Sequence, residues 1–266
     1  RGVTLTPAGQ RLFDRASAIL RQLDHLPDEV SAVKGLPRGE VRLAMDGSIA
    51  CVVVAPLYRA MEARCPDVRV FVTTGLSHQM RQLVEGRSVD LALMPNAFEL
   101  PSLLSEPVYE EHFCLFAAKG AWSPRLRRIR FDDIGDRPLV AADRQHDQRK
   151  LIERVANARK RSLNVRYEIN DAELTRALVR EGLAQALLPV NAFAATDEAP
   201  SVLALDIVEP ALTRIQSLAW PAGTPLTPAA DATRQCLQDT VAALMTQGVL
   251  QGRLPRAASH RQEPMD

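Results

Sequence analysis

Several signals that would assign a chemistry are missing from this chain of 266 residues. No apolar run approaches the roughly 20 residues that a membrane span needs, and no signal peptide is recognisable. The four cysteines, Cys51, Cys65, Cys114 and Cys236, stand far apart with no CxxC pair. That spacing reads as buried free thiols, not as a metal or redox motif. The five histidines show neither HExxH nor HxH spacing, so no zinc site is expected. GxSxG, P-loop and GxGxxG patterns are absent, and no carboxylates are marked as an acid–base pair. The expectation is therefore a protein without catalysis or cofactor. Lysine is scarce, with only Lys34, Lys119, Lys150 and Lys160, and arginine supplies the remaining basic charge. The formal net charge of +1 gives the whole chain no basic field for nucleic acid and no acidic field for cations. Free thiols and the missing leader point to a reduced, cytoplasmic setting.

What is present is ordinary globular material, 46% apolar and 24% charged, long enough for one large domain or two average ones. Thr6-Pro7 is a helix start, because threonine caps free N–H groups and proline suits the first helical position. After it, Leu12, Ala16, Ile19, Leu23 and Leu26 recur in steps of 4, 3, 4 and 3, a heptad stripe. One narrow apolar seam on a helix with a charged remainder needs cover. That cover is either a second copy, in a dimeric coiled coil, or the chain's own globular body. Pro27 interrupts the stripe, and Gly35 to Gly39 reads as a linker.

From Glu40 the grammar is α/β. Strands are expected at 41–45, 68–73, 89–94 and 112–118, with helices at 50–64 and 77–85 between them. It then restarts, with strands at 138–142, 164–169, 184–189 and 201–207 and helices at 148–161 and 172–181. An alternating strand at 213–220 and a helix at about 228–247 close the sequence, before a polar, proline-bearing tail. Two α/β lobes follow the linker. If the last strand and helix return to the first lobe, two strands join the lobes and frame a cleft. Ligands in open α/β sheets bind where loops leave the C-terminal ends of strands.

The opening "RGVTLTPAGQRLFDRASAIL" resembles the wing and linker helix of LysR-type transcriptional regulators, and "LTPAG" is a specific signature of that junction. "LVEGRSVDLALMP" (83–95) and "LTRALVREGLAQALLP" (174–189) look like later helix-to-strand segments of the same family. The stretch from Ile169 looks most like the nitrogen-assimilation-control branch. The resemblance implies a winged helix-turn-helix, a linker helix, and two Rossmann-like lobes with a hinged cleft similar to type 2 periplasmic binding proteins. It divides the chain into a wing remnant (1–6), a linker and dimerisation helix (7–34), lobe I (40–118 with 214–248), lobe II (119–213) and a disordered tail (249–266). On this reading the chain starts inside the wing, so DNA is bound through a recognition helix that precedes it. Arg1 and Thr4 are the residues that could still touch DNA, and such contacts alone bind weakly and with strong salt dependence.

The candidate effector residues are those of the strand-end loops. "MDGSIA" brings Asp46, Gly47 and Ser48 to a helix N-terminus, which favours an anion. Asp46 opposes that preference and suits an amine or hydroxyl instead. The family often has a neutral hydroxyl residue there, so this aspartate departs from the pattern of carboxylate binders. Asp46 and Ser48 could equally serve only as helix caps. Ser77 is a further candidate or an N-cap, and Pro95-Asn96 a candidate or a turn. In the second lobe Asp143 and Asn170 are the candidates, while Arg144 either pairs with an acidic ligand or is merely solvated. Three functions compete. They are a dimeric or tetrameric ligand-responsive transcription regulator, a solute-binding protein of a transporter, and an enzyme on a two-lobed fold, the last without any supporting motif.

Overall fold

The apolar strands of the first half are buried on both faces, and that burial dictates the layering. The computed structural model describes residues 37–194, 201–223 and 225–255, with single positions (6, 8, 9, 12, 13, 16, 19, 20 and 23) near the start. In β1 (Gly39–Met45), Val41, Leu43 and Met45 face one side and Ala44 the other. In β3 (Leu91–Pro95), Leu91 and Leu93 face the first side, Ala92 and Met94 the second. Helices α1 (Gly47–Arg64) and α5 (Pro228–Thr246) cover one face, and α2 (Ser77–Glu85) covers the other. With β2 (Val68–Thr74), these strands make a parallel β2-β1-β3 unit. A parallel strand covered by helices on both faces loses its alternation, as β3 does, whereas β2 at the sheet edge keeps an exposed side through Arg69, Phe71 and Thr73.

One strand then serves two lobes. β4 (Leu103–Ala118) pairs antiparallel with β10 (Thr213–Pro221) from Leu103 to His112. From Phe113 onward it pairs with β8 (Ala186–Pro189) on one edge, and from Cys114 with β9 (Val202–Val208) on the other. β5 (Arg128–Arg130) adds in parallel to β9, giving a sheet path β2-β1-β3-β10-β4-β9-β5. A two-stranded parallel sheet of β6 (Leu139–Ala141) and β7 (Val165–Glu168) completes the second lobe with α3 (Asp147–Ala158) and α4 (Ala172–Arg180). Phe113 and Leu115 face one core there, with Ile129, Ile152 and Leu205. Cys114 and Phe116 face another, with Val140, Val179 and Phe193.

Local signals set the helix ends. The Thr227 hydroxyl accepts from Ala230 N at 3.1 Å with Pro228 in the first turn, and Asp171 accepts from Leu174 N at 2.8 Å. Gly182, at φ +72°, turns the chain out of α4 in a conformation that side chains with a Cβ rarely adopt.

Three expectations need correction. The strand expected at 112–118 begins at Leu103, and its partner exchange falls at His112/Phe113 rather than at the 118/119 boundary expected between the lobes. Its first half mixes exposed, half-buried and buried positions, so it lacked the continuous apolar run that marked the second half. β5 was not expected, being only three residues with a single buried side chain. The tail expected from 249 is docked over its described part. Leu250 is 1% exposed, and Gln251 exchanges two 2.8 Å hydrogen bonds with the Asn191 side chain. Arg253 and Glu110 exchange two backbone bonds of 2.8 Å. A Cβ at Gly252 would lie 2.7 Å from the Glu110 carbonyl, so this close approach requires glycine. Polar composition concealed a segment held by main-chain bonds. Residues 256–266 lie outside the described residues.

At the start, Thr6 Oγ1 accepts from Gly9 N at 3.0 Å, the expected cap. Leu12, Ala16, Ile19 and Leu23 are helical and exposed, with Leu12 at 71% and Leu23 at 55%. Phe13 and Leu20 join them, so the apolar face is wider than the heptad stripe alone. The alternative in which this seam packs on its own globular body therefore fails at the described positions. Arg1, Thr4 and Leu26 lie outside the described residues. No described helix is long and apolar enough to cross a membrane.

Truncating the shared strand tests this layering. Leu115→Ala is expected to lower unfolding free energy by about 2–5 kcal/mol, through lost burial and a residual cavity. The exposed Leu104→Ala should change it by less than about 0.5 kcal/mol. Urea titrations followed by circular dichroism measure both.

Candidate functional site

The loops that leave β1, β2, β6 and β7 converge on a cavity of about 550 Å³ between the lobes. Asp46, Gly47 and Ser48 line it from the first lobe, with the Thr74-Gly75-Leu76 turn. Asn170, Asp171 and Glu173 line it from the second, with His146 and Arg176. This is the C-terminal end of parallel strands, where crossover connections leave room and helix N-termini point inward.

Asp46 forms the floor. Its Oδ1 caps α1 by accepting from Ser48 N at 2.9 Å and Ser48 Oγ at 2.7 Å. Its Oδ2 faces Arg214 Nη2 at 3.6 Å. Arg214 is 4% exposed, and its Nε donates to Glu111 Oε1 at 2.6 Å. Gln216 Nε2 donates to the same oxygen at 2.7 Å, and the Tyr109 hydroxyl donates to Oε2 at 3.2 Å. The Phe113 ring lies 5.4 Å from the Arg214 guanidinium carbon. Burial pushes the Asp46 carboxyl up, but the Arg214 charge, the imidazolium that His146 becomes in acid, and the Ser48 hydrogen bonds outweigh it and hold the group below its usual range. Asp46 therefore stays ionised at the cavity floor.

A second contact spans the lobes. Ser77, 1% exposed at the start of α2, accepts from Asp147 N at 2.9 Å and lies 3.0 Å from His146 Nδ1. The backbone N–H donates to Ser77 Oγ, which leaves the hydroxyl's own proton free to point at His146 Nδ1 when that nitrogen is bare. That geometry fits a neutral imidazole carrying its proton on Nε2. Ser77 is thus not the N-cap of its own helix. That place belongs to Leu76, whose N–H donates to the Gln79 side chain at 3.0 Å. Ser77 instead satisfies the first N–H of α3, in the other lobe.

Beyond this bridge lies a smaller cavity of about 250 Å³, lined by Ser77, Pro95, Asn96, Asp147 and Arg154 among others. Three of the expected effector residues, Ser77, Pro95 and Asn96, therefore line a different cavity from Asp46, Gly47, Ser48 and Asn170. Asn96 adopts a left-handed turn at φ 52°, in keeping with the alternative of a turn residue. Asp143 lines neither cavity among those described. It accepts from Gln145 N at 2.8 Å and from Asn170 Nδ2 at 2.8 Å, while Asn170 Oδ1 accepts from Asp143 N at 2.9 Å. This reciprocal pair locks two second-lobe loops together. Arg144 is 78% exposed and reaches Glu153 at 3.6 Å, the solvated alternative.

Sequence reasoning missed His146, Glu173 and Arg176. Arg176 is buried, donating to Ala192 O at 3.3 Å and to Glu173 Oε2. The helix pattern of "AELTRALVR" marks Arg176 as neighbour to apolar Val179, three positions on, and that was the only available hint.

A continuous sheet shared by two α/β lobes, with a polar cavity between them, is the type 2 periplasmic-binding-protein-like fold. Residues 34–242 match the LysR substrate binding domain, and the chain belongs to that family. It is 22% identical over 242 residues to the nitrogen assimilation regulatory protein nac of Klebsiella aerogenes, covering 91% of this chain and 78% of that protein. Its fold matches an OxyR C206 mutant of Corynebacterium glutamicum with a TM-score of 0.71 at 17% identity, over 95% of this chain and 80% of the other. It also matches the CcmR regulatory domain of Synechocystis PCC6803, solved in complex with 2-PG, with a TM-score of 0.68 at 18% identity. That likeness covers 77% of this chain and 97% of the other. The chain is the effector-binding portion of a LysR-type transcriptional regulator. Nothing in these likenesses favours a transporter's solute-binding protein, and none indicates a catalytic family.

The His146 bridge gives a pH signature. Burial holds its imidazole below the ordinary value of 6.5, with Asp46 opposing and Arg214 assisting. The unfolded chain then takes up a proton more readily than the folded one, so stability contributed by this site falls as pH drops below about 6.5. Melting temperature should decline between pH 7.5 and 5.5, and His146→Asn should flatten that decline. An unchanged slope in the variant would assign the decline to other groups.

Proposed function

We propose that a small metabolite carrying an amine or hydroxyl binds in the larger cavity, and that its binding resets the relative placement of two lobes in a paired regulator. The observation that carries this reading is Asp46, a carboxylate that lines the cavity and faces Arg214 beneath it. Arg214 lies on β10 and Glu111 on β4, the two strands that connect the lobes. A ligand that draws on Asp46 acts on that buried pair, and so on the strand crossing. The lining carries Asp46, Asp171 and Glu173 against Arg176, whose charge is engaged by Glu173. Such a site rewards donors more than carboxylates. The CcmR domain, solved with 2-PG, supports small-molecule binding by this fold.

Pairing is assigned to the N-terminal helix through Leu12, Ala16, Ile19 and Leu23, a face exposed at every described position. DNA contact belongs to the winged helix-turn-helix that the family carries ahead of this helix. Paired domains would then be repositioned by a shift between two assemblies, in a cytoplasm that keeps the four free cysteines reduced.

Two measurements test this. A thermal-shift screen of metabolites should yield a stabilising hit, worth about 2.7 kcal/mol at a ligand concentration 100-fold above Kd. Ser48→Ala should remove the shift and Asn96→Ala should leave it. The opposite pattern would move the effector to the smaller cavity, and a hit indifferent to both would remove it from the cleft. Sedimentation should find the chain dimeric or larger and a form lacking residues 1–34 smaller. Equal monomers would refute pairing through this helix.

A further inference from the structure

Away from the cleft, where β4 passes into the second lobe, three side chains of different chemistry converge. His112 Nε2 lies 3.4 Å from Asp206 Oδ1, and Cys114 Sγ lies 3.5 Å from the same oxygen. All three donor atoms fall within 4.8 Å of one another. The strand geometry explains the meeting. His112 and Cys114 are two apart on β4 and so share a face, and Cys114 stands directly opposite Asp206 in the β4–β9 register. The spacing His-x-Cys is a metal-ligand spacing on a strand that a search for HExxH or HxH passes over.

We propose that His112, Cys114 and Asp206 form a site for a divalent transition metal of the Zn2+ class. Bond lengths of about 2.0–2.3 Å to nitrogen, oxygen and sulfur imply tetrahedral edges of about 3.4 Å between N and O and about 3.6 Å between S and O. The two observed separations match those edges. One thiolate, one imidazole and one carboxylate make a borderline-soft set, which selects Zn2+ or Co2+ over Mg2+ and Ca2+. Cys114 is 1% exposed, whereas the His112 and Asp206 side chains are 38% and 50% exposed. Metal can thus enter from the solvent side, with a water completing the fourth position. On binding, the metal–sulfur bond replaces the S–H bond and the thiol proton passes to solvent, with no change of oxidation state. The metal would tie β4 to β9 at the Cys114–Asp206 pair, two residues beyond the pairing of His112 with Thr213 and next to the lobe crossing.

Cobalt titration of the full chain tests the site, because a Co2+–thiolate bond absorbs in the near ultraviolet and a Co2+–carboxylate bond does not. The expected result is a charge-transfer band that saturates at one ion per chain, is displaced by Zn2+, and is unaffected by excess Mg2+. Cys114→Ser should abolish it, and Cys51→Ser and Cys65→Ser should retain it. His112→Gln and Asp206→Asn leave the thiol in place and should each weaken binding by roughly tenfold or more. If Cys114→Ser fails to fold by circular dichroism, these two half-exposed variants decide. A wild-type chain with no band, a band that survives Cys114→Ser, or affinity unchanged by both half-exposed variants would overturn the proposal.

Discussion

The architecture turns on Arg214, a guanidinium placed where two strands pass between lobes and water has little access. A lone cation there would be intolerable, and Glu111, directly across the β4–β10 pair, neutralises it. Glu111 in turn accepts from Arg214, Gln216 and Tyr109, so its oxygens are satisfied within the sheet. Removing one member of such a pair typically costs about 3–5 kcal/mol, because the other charge stays buried. The sheet accommodates the cluster with a register shift between Gln216 and Ser217. The strands cannot slide past this point without stranding a charge, so the crossing is fixed in register while each lobe packs on its own core.

With the crossing fixed, the two lobes also meet through Ser77 and His146, and that meeting partitions the space between them. Ser77 of α2 supplies the acceptor for the first N–H of α3 and shares a hydrogen bond with His146 Nδ1. A helix N-terminus left uncapped in the interior would strand donors, so the bridge is part of how α3 begins. On one side of it lies the larger cavity with Asp46 on its floor, and on the other the smaller cavity with Asn96. Separating the lobes would break the bridge and open both cavities into one groove.

Much of this was legible from pattern alone. "LALM" in β3 and "FCLFA" in β4 are continuous apolar runs because each strand has a core on both faces. The helix starts expected at 172 and about 228 fall beside the capping residues Asp171 and Thr227. What escaped was determined by distance in the fold. Ser77 looked like a cap because a serine before an amphipathic helix normally is one; its partner stands 69 residues away. His146 and Arg176 looked unremarkable because their burial depends on the other lobe and on the 190–193 turn. The docked part of the tail was read as disordered because backbone pairing with Glu110 leaves no mark on composition. His112, Cys114 and Asp206 were invisible as a group because strand register, not sequence spacing, brings the third residue in.

Under the proposed function, capping and ligand binding at Asp46 are compatible. A carboxylate has two oxygens, and here they face different demands. Oδ1 is committed to Ser48 by two short hydrogen bonds, which start α1. Oδ2 stands 3.6 Å from Arg214, close enough for attraction but too far for a hydrogen bond. Its lone pairs remain available while its charge is held in place by the buried guanidinium. A ligand donor reaching Oδ2 would bind an acceptor already oriented by the helix cap, without dismantling the cap. It would also withdraw electron density from the one interaction that links the cavity floor to the strand crossing. Differential affinity between two lobe arrangements requires a contact that differs between them, and Oδ2 is the atom in this cavity that both the ligand and the crossing can compete for.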